Sequence, residues 1–93
     1  MKIVLLDGNK IKTIEALHEA FARELNFSAW YGANLDALYD SLTEATEEIG
    51  VITVNTDRLA ENLGKQWDIL LRLLEDIKEE RTGFYVCVEP FEK

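Results

Sequence analysis

The 93-residue chain holds one cysteine, one proline, one histidine and one methionine. A lone cysteine, Cys87, excludes an intrachain disulfide framework and fits a reducing compartment. It sits in the apolar run "FYVCVE" with no basic neighbour in sequence, which predicts a buried, inert thiol. One histidine and one cysteine cannot supply a Cys/His metal framework. His18 is therefore expected to be structural or exposed, and no metal or cofactor is implied. Long apolar runs are missing too. No stretch approaches the ~20 residues of a membrane span. The opening "MKIVLLDG" has one lysine and only four apolar residues before Asp7, too few for a signal-peptide core. The expectation is a cytoplasmic protein. A glycine-rich phosphate loop is absent, since "GNK" and "GAN" are isolated turns, and nothing in the spacing points to a Ser-His-Asp arrangement.

Bases are scarce as well. Ten Lys and Arg face eighteen Asp and Glu, giving a net charge of −8. Such a surface repels nucleic-acid phosphates and anionic membranes alike. It favours a basic protein as partner, through steering and complementary charge.

What is present reads as one domain over residues 1–93, with 47% hydrophobic residues and two tryptophans to build a core. Three short apolar runs, "IVLL" (3–6), "VITV" (51–54) and "FYVCV" (84–88), predict strands, and Pro90 ends the last. Thr13 is placed to cap a helix over 14–26, with Ile14, Leu17, Phe21 and Leu25 on one face. Asn34 caps a second over 34–46, with Leu35, Leu38 and Leu42 facing the core. Thr56 is positioned to cap a short helix that Gly64 breaks. The longest helix runs over 65–81, on Trp67, Leu70, Leu71, Leu74 and Ile77, and Gly83 follows as its C-terminal glycine. Helices separate all three strands, and the strands are continuous apolar runs, which predicts an α/β fold: a parallel, helix-covered sheet in the order β-α-α-β-(α)-α-β.

One segment is costly by its own standards. In "WYGANLDALYDSL", residues 30–42, Asp36 and Asp40 stand one helical turn apart, a like-charge pair that costs roughly 0.2–0.5 kcal/mol. Asp36 gains from the positive end of the helix dipole, and Asp40, a turn further in, gains less. Asp36, Tyr39, Asp40 and Thr43 share a face turned about a third of a turn from the leucine stripe, at ~100° per residue. Trp30 and Tyr31 lie just ahead, where aromatic anchors serve interfaces well. Gly32 permits a close backbone approach or a positive φ. Residue chemistry alone leaves three readings open: a surface for a basic partner, a carboxylate pair working as acid and base or holding a hard cation, and ordinary solvated acids beside aromatic core lids.

"YGANLDALYDSLT", Tyr31 to Thr43, closely resembles the signature segment of the barstar family of intracellular ribonuclease inhibitors. That pattern is tyrosine-glycine, a variable residue, asparagine-leucine-aspartate-alanine-leucine, an aromatic and aspartate. The resemblance continues more weakly along the chain, from "DGNKIKTIEALHEAFARELN" to the short last strand. It implies a barstar-like fold, a three-stranded parallel sheet packed with about four helices, and a non-enzymatic inhibitor that is a monomer when free. Its partner would be a secreted barnase-type ribonuclease. Carried over by residue, it makes Asp40 the principal contact, entering a basic active site where substrate phosphate lies, and Asp36 a second acidic contact. Gly32 and Asn34 match the turn feeding the binding helix, and Thr43 a threonine at the contact edge. Trp30 stands where the family has a stacking tyrosine, and Tyr39 where it has tryptophan. Asp76 aligns with a glutamate that makes an outlying salt bridge. Ala45 departs from the pattern by replacing a tryptophan at the edge of the contact face.

Overall fold

The three apolar runs form strands β1 (Lys2–Asp7), β2 (Ile49–Val54) and β3 (Phe84–Val88) in a computed structural model that describes residues 1–89. Pro90, read above as the end of the third strand, lies outside the described residues. The strands make one parallel sheet in the order β1-β2-β3, with Val4 opposite Val51 and Val51 opposite Val86. Strand order was not readable from the sequence. Parallel neighbours need long crossovers, and each is built from two helices. The first pair is α1 (Ile14–Leu25) and α2 (Leu35–Glu44), the second α3 (Thr56–Leu63) and α4 (Lys65–Glu80). The barstar-like α/β order is thus the observed one, and the short third helix is real.

Local chemistry sets the helix ends. Thr13 Oγ1 accepts from Ala16 N at 3.1 Å, and Asn26, at φ 56°, closes α1 in the left-handed conformation that asparagine tolerates. Gly64 (φ 59°, ψ −131°) serves both as the end of α3 and the start of α4, a backbone geometry suited to glycine. Two expectations need correction. Thr56 does not cap α3; it is the first helical residue, the cap position is Asn55, and the Thr56 hydroxyl donates instead to the Glu89 carbonyl at 2.6 Å. Nor does Gly83 cap α4. That helix ends at Arg81 in extended geometry, and Gly83, at φ 74°, turns the chain into β3.

The core lies between one face of the sheet and the helices. Val4, Leu6, Ile49, Val51 and Phe84 meet Leu17, Phe21, Leu38, Leu42, Leu59, Leu70, Leu74 and Ile77, all buried. The other face is open, so the sheet expected to be helix-covered is covered on one side. Ile3, Leu5 and Tyr85 are 43%, 53% and 49% exposed, and Cys87 is exposed beside them rather than buried. Runs of four or five apolar residues hide the alternation a half-open sheet produces, because both faces carry apolar side chains.

Candidate protein-binding site

Helix α2 is built to show one face. Asn34 Oδ1 accepts from Ala37 N at 2.8 Å and fixes its start. Leu38 and Leu42 are fully buried, each worth about 2 kcal/mol of apolar burial, and they set the helix's rotation. At ~100° per residue, that rotation turns Asp36 and Asp40 to solvent. Glu44, a further turn along, is exposed too, so three carboxylates rise up the helix at i, i+4 and i+8. No base on α2 answers them. The ion pairs among the described residues are Arg23–Glu24 at 3.6 Å and Glu75–Lys78 at 3.2 Å, neither of which involves this helix.

The loop leading into α2 divides its aromatics. Trp30 is 92% exposed. Tyr31, the next residue, turns inward between Phe27 and His18, with ring centroids 4.8 and 5.7 Å away. Its hydroxyl shares a 2.5 Å hydrogen bond with His18 Nδ1. Burial pushes the Tyr31 hydroxyl up to about 12 and lowers the His18 imidazole, the latter against an opposing pull from Glu15. Positive φ in this turn falls on Ala33 (52°), not on Gly32. Gly32 serves the close approach instead: a Cβ there would meet Asn34 Nδ2 at 3.3 Å and the Ala37 Cβ at 3.5 Å.

The far end of α2 is held from another helix. Arg81 Nη1 donates to the Leu42 carbonyl at 3.0 Å, and Nη2 to the Glu47 carbonyl at 2.6 Å. The guanidinium thus supplies the cation that the last turn of α2 lacks. Ala45 follows as the extended C-cap, half-buried against the core.

The nine residues singled out in the sequence separate by what they offer. Trp30, Asp36 and Asp40 present free side chains to solvent. Tyr39 is half-buried, with part of its ring against the core. Asn34 is engaged as the cap. The Thr43 hydroxyl donates back to the Tyr39 carbonyl at 2.8 Å and lies 3.2 Å from that of Asp40. Tyr31 is tied to His18, and Gly32 lets the turn lie close to α2. Asp76 is exposed on α4, the helix against which α2 packs. Glu44 was passed over, although its i+4 spacing from Asp40 was visible. His18 and Arg81 act across 13 and 39 residues, beyond the reach of local pattern. Among the described residues no group of three or more His, Cys, Asp or Glu is placed to hold a metal ion.

Comparison with known proteins finds a family and a relative. The family model described as "Barstar (barnase inhibitor)" matches residues 1–89. A Bacillus subtilis (strain 168) protein named "Putative ribonuclease inhibitor YrdF" is 31% identical over 91 residues, spanning 96% of this chain and 100% of that protein.

Proposed function

The chain belongs to the barstar family, whose described role is inhibition of a ribonuclease, and from that premise we propose that α2 and the loop before it are the inhibitory surface. Asp40 and Asp36 enter the basic active site of a small, secreted barnase-type ribonuclease and stand in for substrate phosphate. Trp30 stacks on the rim, Tyr39 and Thr43 border the contact, Tyr31, Gly32 and Asn34 shape the approach, and Asp76 makes an outlying ion pair. The protein works as a cytoplasmic immunity protein, or antitoxin, and performs no chemistry itself.

The observation that carries this reading is the unpaired line of carboxylates on α2. Three acids one turn apart, with no base among the described ion pairs, repel one another in the free protein. A ribonuclease active site is basic because it binds phosphate. Its arginines and lysines relieve that repulsion, and bidentate arginine–carboxylate bonds add direction. A net charge of −8 steers the two proteins together. The test is a titration into a barnase-type ribonuclease with RNA cleavage as readout. Stoichiometric loss of cleavage, and its relief by Asp40→Ala, is the expected result. Unimpaired cleavage at excess inhibitor rejects the ribonuclease as partner.

A further inference from the structure

The loop between α1 and α2 is poorly tethered by its own backbone. From Ser28 to Gly32 its hydrogen bonds are local: Tyr31 N to the Ser28 carbonyl at 3.1 Å, Trp30 N to Ser28 Oγ at 3.2 Å, and Asn34 Nδ2 to the Gly32 carbonyl at 3.5 Å. Among the described residues, the one hydrogen bond from this stretch to a different element is that between the Tyr31 hydroxyl and His18 Nδ1 on α1. His18 is 4% exposed and held in the buried side of its helix, so it is a fixed point. Tyr31 is the loop's anchor: its ring lies against Phe27, His18 and the edge of the core, and its hydroxyl makes the link to α1. Trp30 precedes it directly and points the other way, 92% exposed. The turn at Ala33, with its positive φ, then leads from this pair to the Asn34 cap of α2.

We propose that His18 is a positioning residue for the inhibitory surface: through the Tyr31 hydroxyl its imidazole sets the loop that aims Trp30 and starts α2. The inference rests on the reading of that surface given above. It also gives the surface a pH dependence of its own. With the imidazole neutral, either group can donate in the bond. Once the imidazole is protonated both its nitrogens are donors, the hydroxyl is restricted to accepting, and a charge is buried. The groups around His18 are Glu15 and Glu19 on its own helix, Tyr31 from the loop, Asp36 from α2, and the uncharged Gln66 from α4. Glu15 favours the imidazolium and burial opposes it. Burial is the larger effect, so the imidazole is neutral near neutral pH. The loop is therefore fully set above the ordinary histidine range, near pH 6.5, and loosens below it.

The experiment has two arms. In the first, amide and imidazole resonances of the isotope-labelled full chain are followed from about pH 8 to about pH 5, a span that brackets histidine titration. The amides of residues 30–34 should shift along the His18 curve in wild type. In Tyr31→Phe, His18 should still titrate while those amides stop following it. Amides that ignore His18 in wild type overturn the proposal. In the second arm, inhibition of a barnase-type ribonuclease is compared at each pH, so that the enzyme's own titration cancels between variants. Tyr31→Phe keeps the ring on Phe27 and removes only the hydroxyl. It and His18→Leu should each weaken inhibition about tenfold near neutral pH, the size of one hydrogen bond's net contribution. His18→Asn, whose amide restores a polar atom near the Nδ1 position, should recover most of the loss. Tyr31→Phe inhibiting as tightly as wild type overturns the proposal. A ribonuclease that wild type fails to inhibit removes the reading of α2, and the resonance arm then decides the positioning role alone.

Discussion

Arg81, the residue that closes α4, donates from Nη1 to the Leu42 carbonyl in the last turn of α2 at 3.0 Å. The same guanidinium reaches the Glu47 carbonyl at 2.6 Å, so two segments distant in sequence are bound to one planar fork. Arg81→Met should cost about 1.5–3 kcal/mol, because it leaves a charge-assisted hydrogen bond unmade at the partly buried Leu42 carbonyl. Arg81→Lys should recover only part, since an ammonium lacks the fork geometry. Urea unfolding reads this as a lower midpoint at unchanged slope.

Asp40→Ala should act in opposite directions on fold and on binding. Removing Asp40 relieves two like-charge steps on α2, with Asp36 and with Glu44, each worth roughly 0.2–0.5 kcal/mol, so the melting temperature should hold or rise. Removing one side of a buried charge pair costs about 2–5 kcal/mol in complexes, of which barnase–barstar is a studied example. Binding should therefore drop by orders of magnitude. A calorimetric melt beside a binding titration separates the two, and a destabilised variant would mean that Asp40 has a structural partner.

Ala33 occupies the left-handed region at φ 52°, which costs an L-residue roughly 1–2 kcal/mol. Ala33→Gly relieves that strain but adds freedom to the unfolded chain, an opposing effect of about 0.4–1 kcal/mol. The balance favours the variant by up to about 1.6 kcal/mol. Chemical denaturation measures it. Gly32→Ala at the neighbouring position gains from a stiffer unfolded chain, but its new Cβ meets Asn34 Nδ2 at 3.3 Å, so its net gain should be the smaller of the two.

Two pH windows should appear in the stability of the free protein. Burial lowers the His18 imidazole below its usual 6.5, so the unfolded chain takes up that proton first. This contribution is complete above pH 6.5 and is lost as pH falls from there towards the folded value. Asp7 is lowered from its usual 3.8, chiefly by the Asn55 side chain donating to Oδ1 at 2.8 Å. Its contribution is present above 3.8 and is lost only in stronger acid. His18→Leu should flatten the first slope and leave the second, in melts taken across the range.

Cys87 lies on the open sheet face, exposed. Native protein should therefore react with a thiol reagent at the rate of an accessible cysteine, without needing to unfold first. Labelling followed by mass, with and without denaturant, checks this; protection in the native protein would mean that the face is covered in solution.

Much of this architecture was legible because its signals are local. Caps at Thr13 and Asn34, the break at Gly64 and the apolar stripe from Trp67 to Ile77 each lie within a few residues of what they control. The segment from Tyr31 to Thr43 carried the family in the same way. What escaped depends on partners far along the chain. Thr56 looked like a cap until its hydroxyl found Glu89, and Cys87 looked buried because apolar neighbours say nothing about which sheet face has a helix over it. His18 was legible as a structural histidine, but its bond to Tyr31 crosses from helix to loop. Arg81 and Leu42 meet only once four elements have been assembled.

The rotation of α2 keeps Leu38 and Leu42 apart from Asp36, Asp40 and Glu44. Those three carboxylates take no part in the core, and the two leucines take no part in the acidic surface. A lineage bearing this helix can thus try new side chains there without relearning how to fold. The same division makes the helix a ready frame for a combinatorial library: randomise the outer face, keep the two leucines, and select for a different basic target.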